Sequence, residues 1–298
     1  MKTFTCTDGR VLRVVEGFRE QVLSYRPSVT PKPDWSEADY AAAAAKKQRR
    51  LKRLVESFLR FVGTLDGARV LDVGCGDGAN CFLISRHEQV KLAVGIDLEL
   101  PLFASGEKGQ QTRRLIDRLL AGGNSLPVDL LQMDGTRMGF GAASFHVVMS
   151  RSAMEHIKPV ERVLHEMARV VRPGGLIYLG IDPFFWLLGC HKRGVVDIPW
   201  AHARLGLDEY ERFVTECEGR EIAAERRRRL ETLNRLTVRD WKQMIKSMPW
   251  EVLDWKEEPS EISQKILEQF PDVRDTLLPG VERADLLTER IKAWLRKR

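Results

Sequence analysis

The sequence predicts an α/β protein with a doubly wound, mostly parallel sheet, a helical extension before it and a helical cap inserted after its fifth strand. Three observations carry this. Short apolar runs at Val70–Val73, Ala93–Ile96, Val128–Met133, Phe145–Met149 and Leu176–Ile181 are continuous rather than alternating, as in strands covered on both faces. Stretches of helical period separate most of them, and a crossover helix makes the two strands it joins parallel. A glycine-rich turn, VGCGDG, closes the first run, at the strand end where open α/β sheets take their ligands.

In chain order, a helix is expected over about Ser36–Val62, started by Ser36 with Asp39 three positions on, close to a capping box. Leu51, Leu54, Val55, Phe58 and Val62 form its apolar stripe, and this extension takes residues 1–63. Within the core, residues 64–182, the clearest crossover helix is Pro159–Val171: Val160, Val163, Leu164, Met167, Val170 and Val171 recur at helical spacing. It stops at Arg172-Pro173-Gly174-Gly175, a breaker cluster. Residues 183–236 break the rhythm with PFFWLLGCHKRGVVDIPWAHARL and a charged helical stretch, which marks the cap. From 237 to 298 the α/β pattern resumes: a helix in TVRDWKQMIKSM, a strand at Trp250–Lys256, and a last run, ADLLTERIKAWLRKR, that fits strand or helix.

Composition sets outer limits. With 298 residues and 43% apolar content the chain can bury a sizeable core. No apolar run reaches the length of a membrane span, and MKTFTCTDGRVLRV lacks the apolar block of a secretory signal, so the expected compartment is the cytosol. The five cysteines are scattered and never in CxxC spacing, which favours reduced thiols and indicates no metal site. The 48 basic and 42 acidic residues leave a net charge of +6, a mild excess that by itself names no partner. Two basic clusters stand out, Lys46–Arg53 and Arg226–Arg229. Each reads either as a solvated helix face or as a set of phosphate contacts for RNA.

The turn at Gly74, Gly76 and Gly78 needs bare backbone because glycine permits positive φ and lets N–H groups approach a ligand. Its spacing is GxGxG, not the GxGxxG of a dinucleotide site, and Asp72 stands two residues before it. A pyrophosphate has no use for that carboxylate; a cationic or amine-bearing ligand does.

On the motif VLDVGCGDG, the acid Asp97 closing VGID nineteen residues after Gly78, the segment QMDGTRMGFGAASFHVVMSRSAMEHI and the segment LHEMARVVRPGGLIYL, the sequence resembles the class I S-adenosylmethionine-dependent methyltransferases, of the type-11, small-molecule-like group. The likeness covers about residues 70–182. It implies a Rossmann-like sheet and S-adenosyl-L-methionine as cofactor. Asp72, Gly74, Cys75, Gly76 and Gly78 would face the cofactor's amino acid moiety and Asp97 its ribose, with Leu98 beside it. Met133, Asp134 and Gly135 would serve the adenine, and Ser150 and Arg151 would line the methionine end. One departure is that His146 stands where the group often has an aspartate before the fourth strand; it is expected to be a partly buried strand residue.

The expected reaction is methyl transfer to a small-molecule acceptor, most simply a hydroxyl, as in O-methylation of a sugar or a natural-product-like metabolite. Transfer from a sulfonium is an in-line displacement, so alignment dominates, with a base needed where the acceptor is a hydroxyl. His191 and His202 bracket CHKRGVVDIPWAH in the cap, and His156 follows the fourth strand; these are the three candidate bases. Lys192, Arg193 and Asp197 could tune His191. RNA methylation, with the basic clusters as phosphate contacts, and a non-catalytic protein that keeps the cofactor fold as a scaffold remain the alternatives.

Overall fold

The computed structural model describes residues 2–25, 35–87, 89–120 and 126–298. The chain begins with a hairpin of β1 (Thr3–Thr5) and β2 (Val11–Arg13) and a short helix α1 (Phe18–Ser24). The long helix α2 (Glu37–Val62) follows, and its expected start is real: the Ser36 hydroxyl accepts from the Asp39 N–H while the Asp39 carboxylate accepts from the Ser36 N–H at 2.8 Å. Then come β3 (Arg69–Val73), α3 (Ala79–His87), β4 (Leu92–Asp97), α4 (Gly106–Leu120), β5 (Val128–Gln132), β6 (Phe145–Arg151), α5 (Val160–Val170) and β7 (Val171–Ile181). The cap holds α6 (His191–Gly194), α7 (Ala201–Arg204), α8 (Leu207–Glu218) and α9 (Arg220–Glu231). The chain closes with α10 (Val238–Lys246), β8 (Trp250–Pro259), α11 (Glu261–Gln269), α12 (Arg283–Leu287) and β9 (Thr288–Lys297).

Seven strands form one sheet in the order β5-β4-β3-β6-β7-β9-β8. Strands β3 to β7 are parallel, and β9 runs antiparallel between β7 and β8. The chain lays β3, β4 and β5 outward and then jumps back to place β6 on the other side of β3. The crevice between the ends of β3 and β6 is therefore the switch point at which such sheets bind ligands. Two apolar cores cover the faces: one under α5 and α10, built on Val163, Met167 and Trp241, and one under α2 to α4, built on Val55, Phe58 and Leu115.

Three expectations about the elements change. The breaker Arg172–Gly175 ends α5 but not the extended chain: it is a bulge at the start of β7, exposed at Arg172, Pro173 and Gly174, where pairing with β6 jumps from Phe145↔Val171 to Val147↔Leu176. The last run is both candidates in turn, α12 and then β9. The extension before the sheet, expected as helical, is split. Residues 26–34 lie outside the described residues, and of the parts on either side α2 belongs to the sheet while the hairpin and α1 belong to the cap. Phe4, Leu12, Phe18 and Val22 share a core with Phe184, Trp200, Tyr210 and Phe213 and with Ile266, Phe270 and Leu286 from the segment between β8 and β9. Polar contacts lock the three together: Asp197 accepts from the Arg19 N–H at 2.9 Å, and Arg10 donates to the carbonyls of Arg204 and Thr276, each at 2.8 Å.

Candidate active site

The loop after β3 is shaped by its glycines. Gly74 has φ +76°, and a Cβ there would lie 2.3 Å from the Ala153 methyl, so bare backbone lets the loops after β3 and β6 touch. Gly76 differs: φ is +56° and a Cβ would meet nothing within 4 Å. Its N–H donates to Asp97 Oδ2 at 2.8 Å. Gly78, at φ +75°, closes the turn by donating to the Cys75 carbonyl at 3.0 Å. Cys75 is not a ligand-facing residue as the resemblance implies: its side chain is buried against Gly95, and its N–H is spent on the Ile96 carbonyl at 3.0 Å.

Asp72 is buried beneath this loop. Its Oδ2 accepts from Asn80 Nδ2 at 3.1 Å, and its Oδ1 has no hydrogen-bond partner. Burial raises its pKa to about 7, against the Asn80 hydrogen bond and the field of Arg151. A buried carboxylate lacking a counter-cation fits a site completed by a cationic ligand. Asp97, at the end of β4, accepts from Gly76 and, through Oδ1, from the Glu99 N–H at 3.2 Å, and a carboxylate has lone pairs for a diol besides. Leu98 beside it is 65% exposed. The Met133 N–H donates to the Asp97 carbonyl at 2.9 Å, tying the ends of β4 and β5, and Asp134 Oδ1 accepts from the Thr136 N–H and hydroxyl, both at 2.8 Å. Gly135 packs against Val73, where a Cβ would lie 3.1 Å from a methyl. Asp72, Asp97 and Asp134 thus lie at the carboxyl ends of the adjacent parallel strands β3, β4 and β5. Ser150 does not line the crevice between β3 and β6: the side chain is fully buried and its hydroxyl unpartnered, whereas Arg151 borders open space.

The three candidate histidines separate into a pair and an outlier. His156, in the turn after β6, and His191, at the start of α6, stack with ring centroids 5.0 Å apart, planes 2° from parallel and Nε2 atoms 3.2 Å apart. Both rings touch solvent, yet protein atoms crowd them. That desolvation lowers both pKa values, His156 to about 4 with the second ring adding to the effect. A neutral pair sharing one Nε2–H proton satisfies the geometry. His202 is a correction: it is buried in the cap core, 3.0 Å from the Trp186 carbonyl and edge-on to Phe184, with its pKa lowered to about 4 by burial. It is a packing residue. The expected tuning of His191 also shifts, since Asp197 holds α1, Arg193 pairs with Glu225, and the carboxylate whose field reaches His191 is Asp182. His146 is the partly buried strand residue expected, its Nδ1 accepting from the Arg69 N–H at 3.1 Å.

Asp182, just past β7, was not singled out by the sequence. Arg290 donates to it at 2.7 Å, and its charge acts on His156, His191, Glu155 and Arg151. Glu155 is also new: buried with Oε2 unpartnered, its pKa raised by burial and by Asp182. The only sequence signal for either was position, directly after a strand of the parallel set. Lys47 of α2 pairs with Asp77 of the loop at 2.7 Å, a tie between the first basic cluster and the site that the sequence reading did not foresee.

Residues 71–179 match the family described as a methyltransferase domain. The chain is 29% identical over 115 residues to a ubiquinone biosynthesis O-methyltransferase of Sinorhizobium medicae, covering 39% of this chain and 41% of that protein. It is 27% identical over 137 residues to the 27-O-demethylrifamycin SV methyltransferase of Amycolatopsis mediterranei, covering 46% and 47%. Among solved structures, an S-adenosylmethionine dependent methyltransferase from Mesorhizobium loti superimposes with a TM-score of 0.45 at 14% identity, over 78% of this chain and 92% of that one. The chain spans less than half the length of the curated relatives it matches. Residues 71–179 are thus similar to a methyltransferase domain. Among the described residues no helix is long and apolar enough to cross a membrane.

Proposed function

We propose that the protein transfers a methyl group from S-adenosylmethionine to a hydroxyl of a small-molecule acceptor held between the ends of β6 and β7 and the cap. The cofactor supplies an electrophilic methyl on a sulfonium. Asp72 favours the cofactor's positive amino acid end by charge, Asp97 accepts from its ribose, and Asp134, Leu98 and Met133 border its base. The observation that carries the hydroxyl reading is the neutral His156–His191 pair, one ring from the sheet and one from the cap, beside the loop that touches Gly74. A neutral imidazole accepts the proton the hydroxyl must lose, and its partner ring, 3.2 Å away, shares the resulting charge. Asp182 stabilises that charge from nearby. Acceptor specificity falls to the cap, whose three chain segments we assign to one unit: 2–25, 183–236 and 260–287.

RNA as acceptor is disfavoured by the second basic cluster. Arg226 is buried on Glu218, Arg227 is shared among Asp208, Glu211 and Glu231, and Arg229 pairs with Glu225; these arginines knit the cap. The test is transfer of labelled methyl from the cofactor into fractionated small-molecule and RNA pools. Label is expected in a small-molecule fraction and to be lost with His156→Ala. Label confined to RNA, or transfer unchanged in both His156→Ala and His191→Ala, would contradict the proposal.

A further inference from the structure

A cavity of about 290 Å³ lies between α2 and the sheet, lined by Arg50 and Arg53 from the helix and by Arg151, Arg290 and Lys292 from the strands. Its shape follows from register. Arg151, Gly180 and Lys292 are directly paired across β6, β7 and β9, so their side-chain positions share one face. The middle position carries no side chain, which leaves a floor between two cations; a Cβ at Gly180 would come within 2.9 Å of the Tyr178 hydroxyl and 3.4 Å of Arg151 Cγ. Tyr178 and Trp294, paired one step down the same strands, form the wall with ring centroids 5.3 Å apart. On α2, Arg50, Arg53, Leu54 and Ser57 recur at helical spacing and close the top.

Five cations line this space against one carboxylate, Glu258. Lys292 pairs with Glu258 and Arg290 with Asp182. Arg53 and Arg151 make no ion pair among the described residues. Arg151 is crowded besides: burial and the neighbouring Arg290 both lower its pKa. Two guanidinium groups that make no ion pair among the described residues, set in a partly enclosed space, suit an anion, and guanidinium forks match phosphate and carboxylate oxygens. The cavity is linked to the proposed transfer site by Arg151, whose field reaches Asp72, and by Arg290, which pairs with Asp182, whose field reaches both histidines.

We propose that this cavity is the subsite for an oxyanion, a phosphate or a carboxylate, borne by the methyl acceptor. The inference rests on the methyltransferase reading and narrows its substrate class to anionic metabolites. The same cations could instead hold the cofactor's own carboxylate, and the experiment separates the two. Inorganic phosphate and, separately, acetate are titrated calorimetrically at constant ionic strength into the protein alone and into the protein saturated with S-adenosylhomocysteine. One of the two anions is expected to bind equally well in both states. Its affinity should fall at least tenfold in Arg53→Gln, an exposed helix position, and be largely kept in Arg53→Lys, while S-adenosylhomocysteine affinity stays within twofold in both variants. Phosphate and acetate binding no better than chloride, or binding abolished by S-adenosylhomocysteine, would overturn the subsite. Absence of S-adenosylhomocysteine binding would instead overturn the methyltransferase reading.

Discussion

Asp72 is a charge placed where burial resists it, and its titration gives a test that needs no substrate. In the unfolded chain it ionises near 3.8, in the folded protein near 7. The unfolded state therefore releases its proton first, and stability falls as pH rises from about 4 to 7 and stays lower above. Asp72→Asn lacks this penalty, so urea unfolding should show the variant gaining on wild type from pH 5 to pH 8, with an upper limit of roughly 4 kcal/mol for the ionisation alone. A stability difference that does not vary with pH would mean that Asp72 is not held near neutrality. The histidine pair gives a second test. With His156 held at about 4 by burial and His191 lowered from its ordinary value, His156 is already neutral at pH 6. Turnover at saturating cofactor should show no acidic limb near 6.5 and should begin to fall only well below pH 6. A limb at the ordinary histidine value would place the base elsewhere.

At the scale of elements, the glycine loop separates shape from contact. Gly74→Ala puts a methyl 2.3 Å from Ala153 in a left-handed conformation, and should cost about 2–4 kcal/mol of stability. Gly76→Ala adds a methyl into open space, so it should cost only about 1–2 kcal/mol of stability while weakening S-adenosylhomocysteine binding by obstructing the backbone. Thermal unfolding and calorimetry on both variants check the contrast; equal loss of stability, or unimpaired binding in Gly76→Ala, would contradict it. The sequence showed this loop because φ > 0 leaves glycine as its mark. It misassigned Cys75, since a residue inside a motif can turn inward to fill the space over Gly95. It could not pair His156 with His191, because their contact depends on how the cap lies over the sheet.

For the whole molecule, the parallel sheet was legible because burial on both faces writes itself as continuous apolar runs in β3, β4, β6 and β7, whereas the edge strand β5 stays largely exposed. The proposed cap was legible only in its middle segment, residues 183–236. Its other parts, the β1–β2 hairpin with α1 and the segment between β8 and β9, are short and lack a long periodic face; they join Phe184 and Trp200 only through tertiary packing. Excising residues 183–236 would strand both, so the cap should behave as one unit. A chain lacking residues 1–25 is expected to lose amide protection across 184–233 and 262–286 while β3 to β7 keep theirs, as read by hydrogen exchange. Protection lost evenly over the molecule would contradict a separate cap core.

Three acids at the ends of β3, β4 and β5 are proposed to hold one cofactor, and Asp97 accepts from Gly76 of the loop through Oδ2 and from Glu99 through Oδ1. The direct measurement is calorimetric titration of S-adenosylmethionine into wild type and Asp97→Ala. Wild type should bind with one site, and the variant should lose roughly 1.5–3 kcal/mol of binding free energy, the scale of hydrogen bonds to a charged group. No binding to wild type, or equal affinity in Asp97→Ala, would contradict the account.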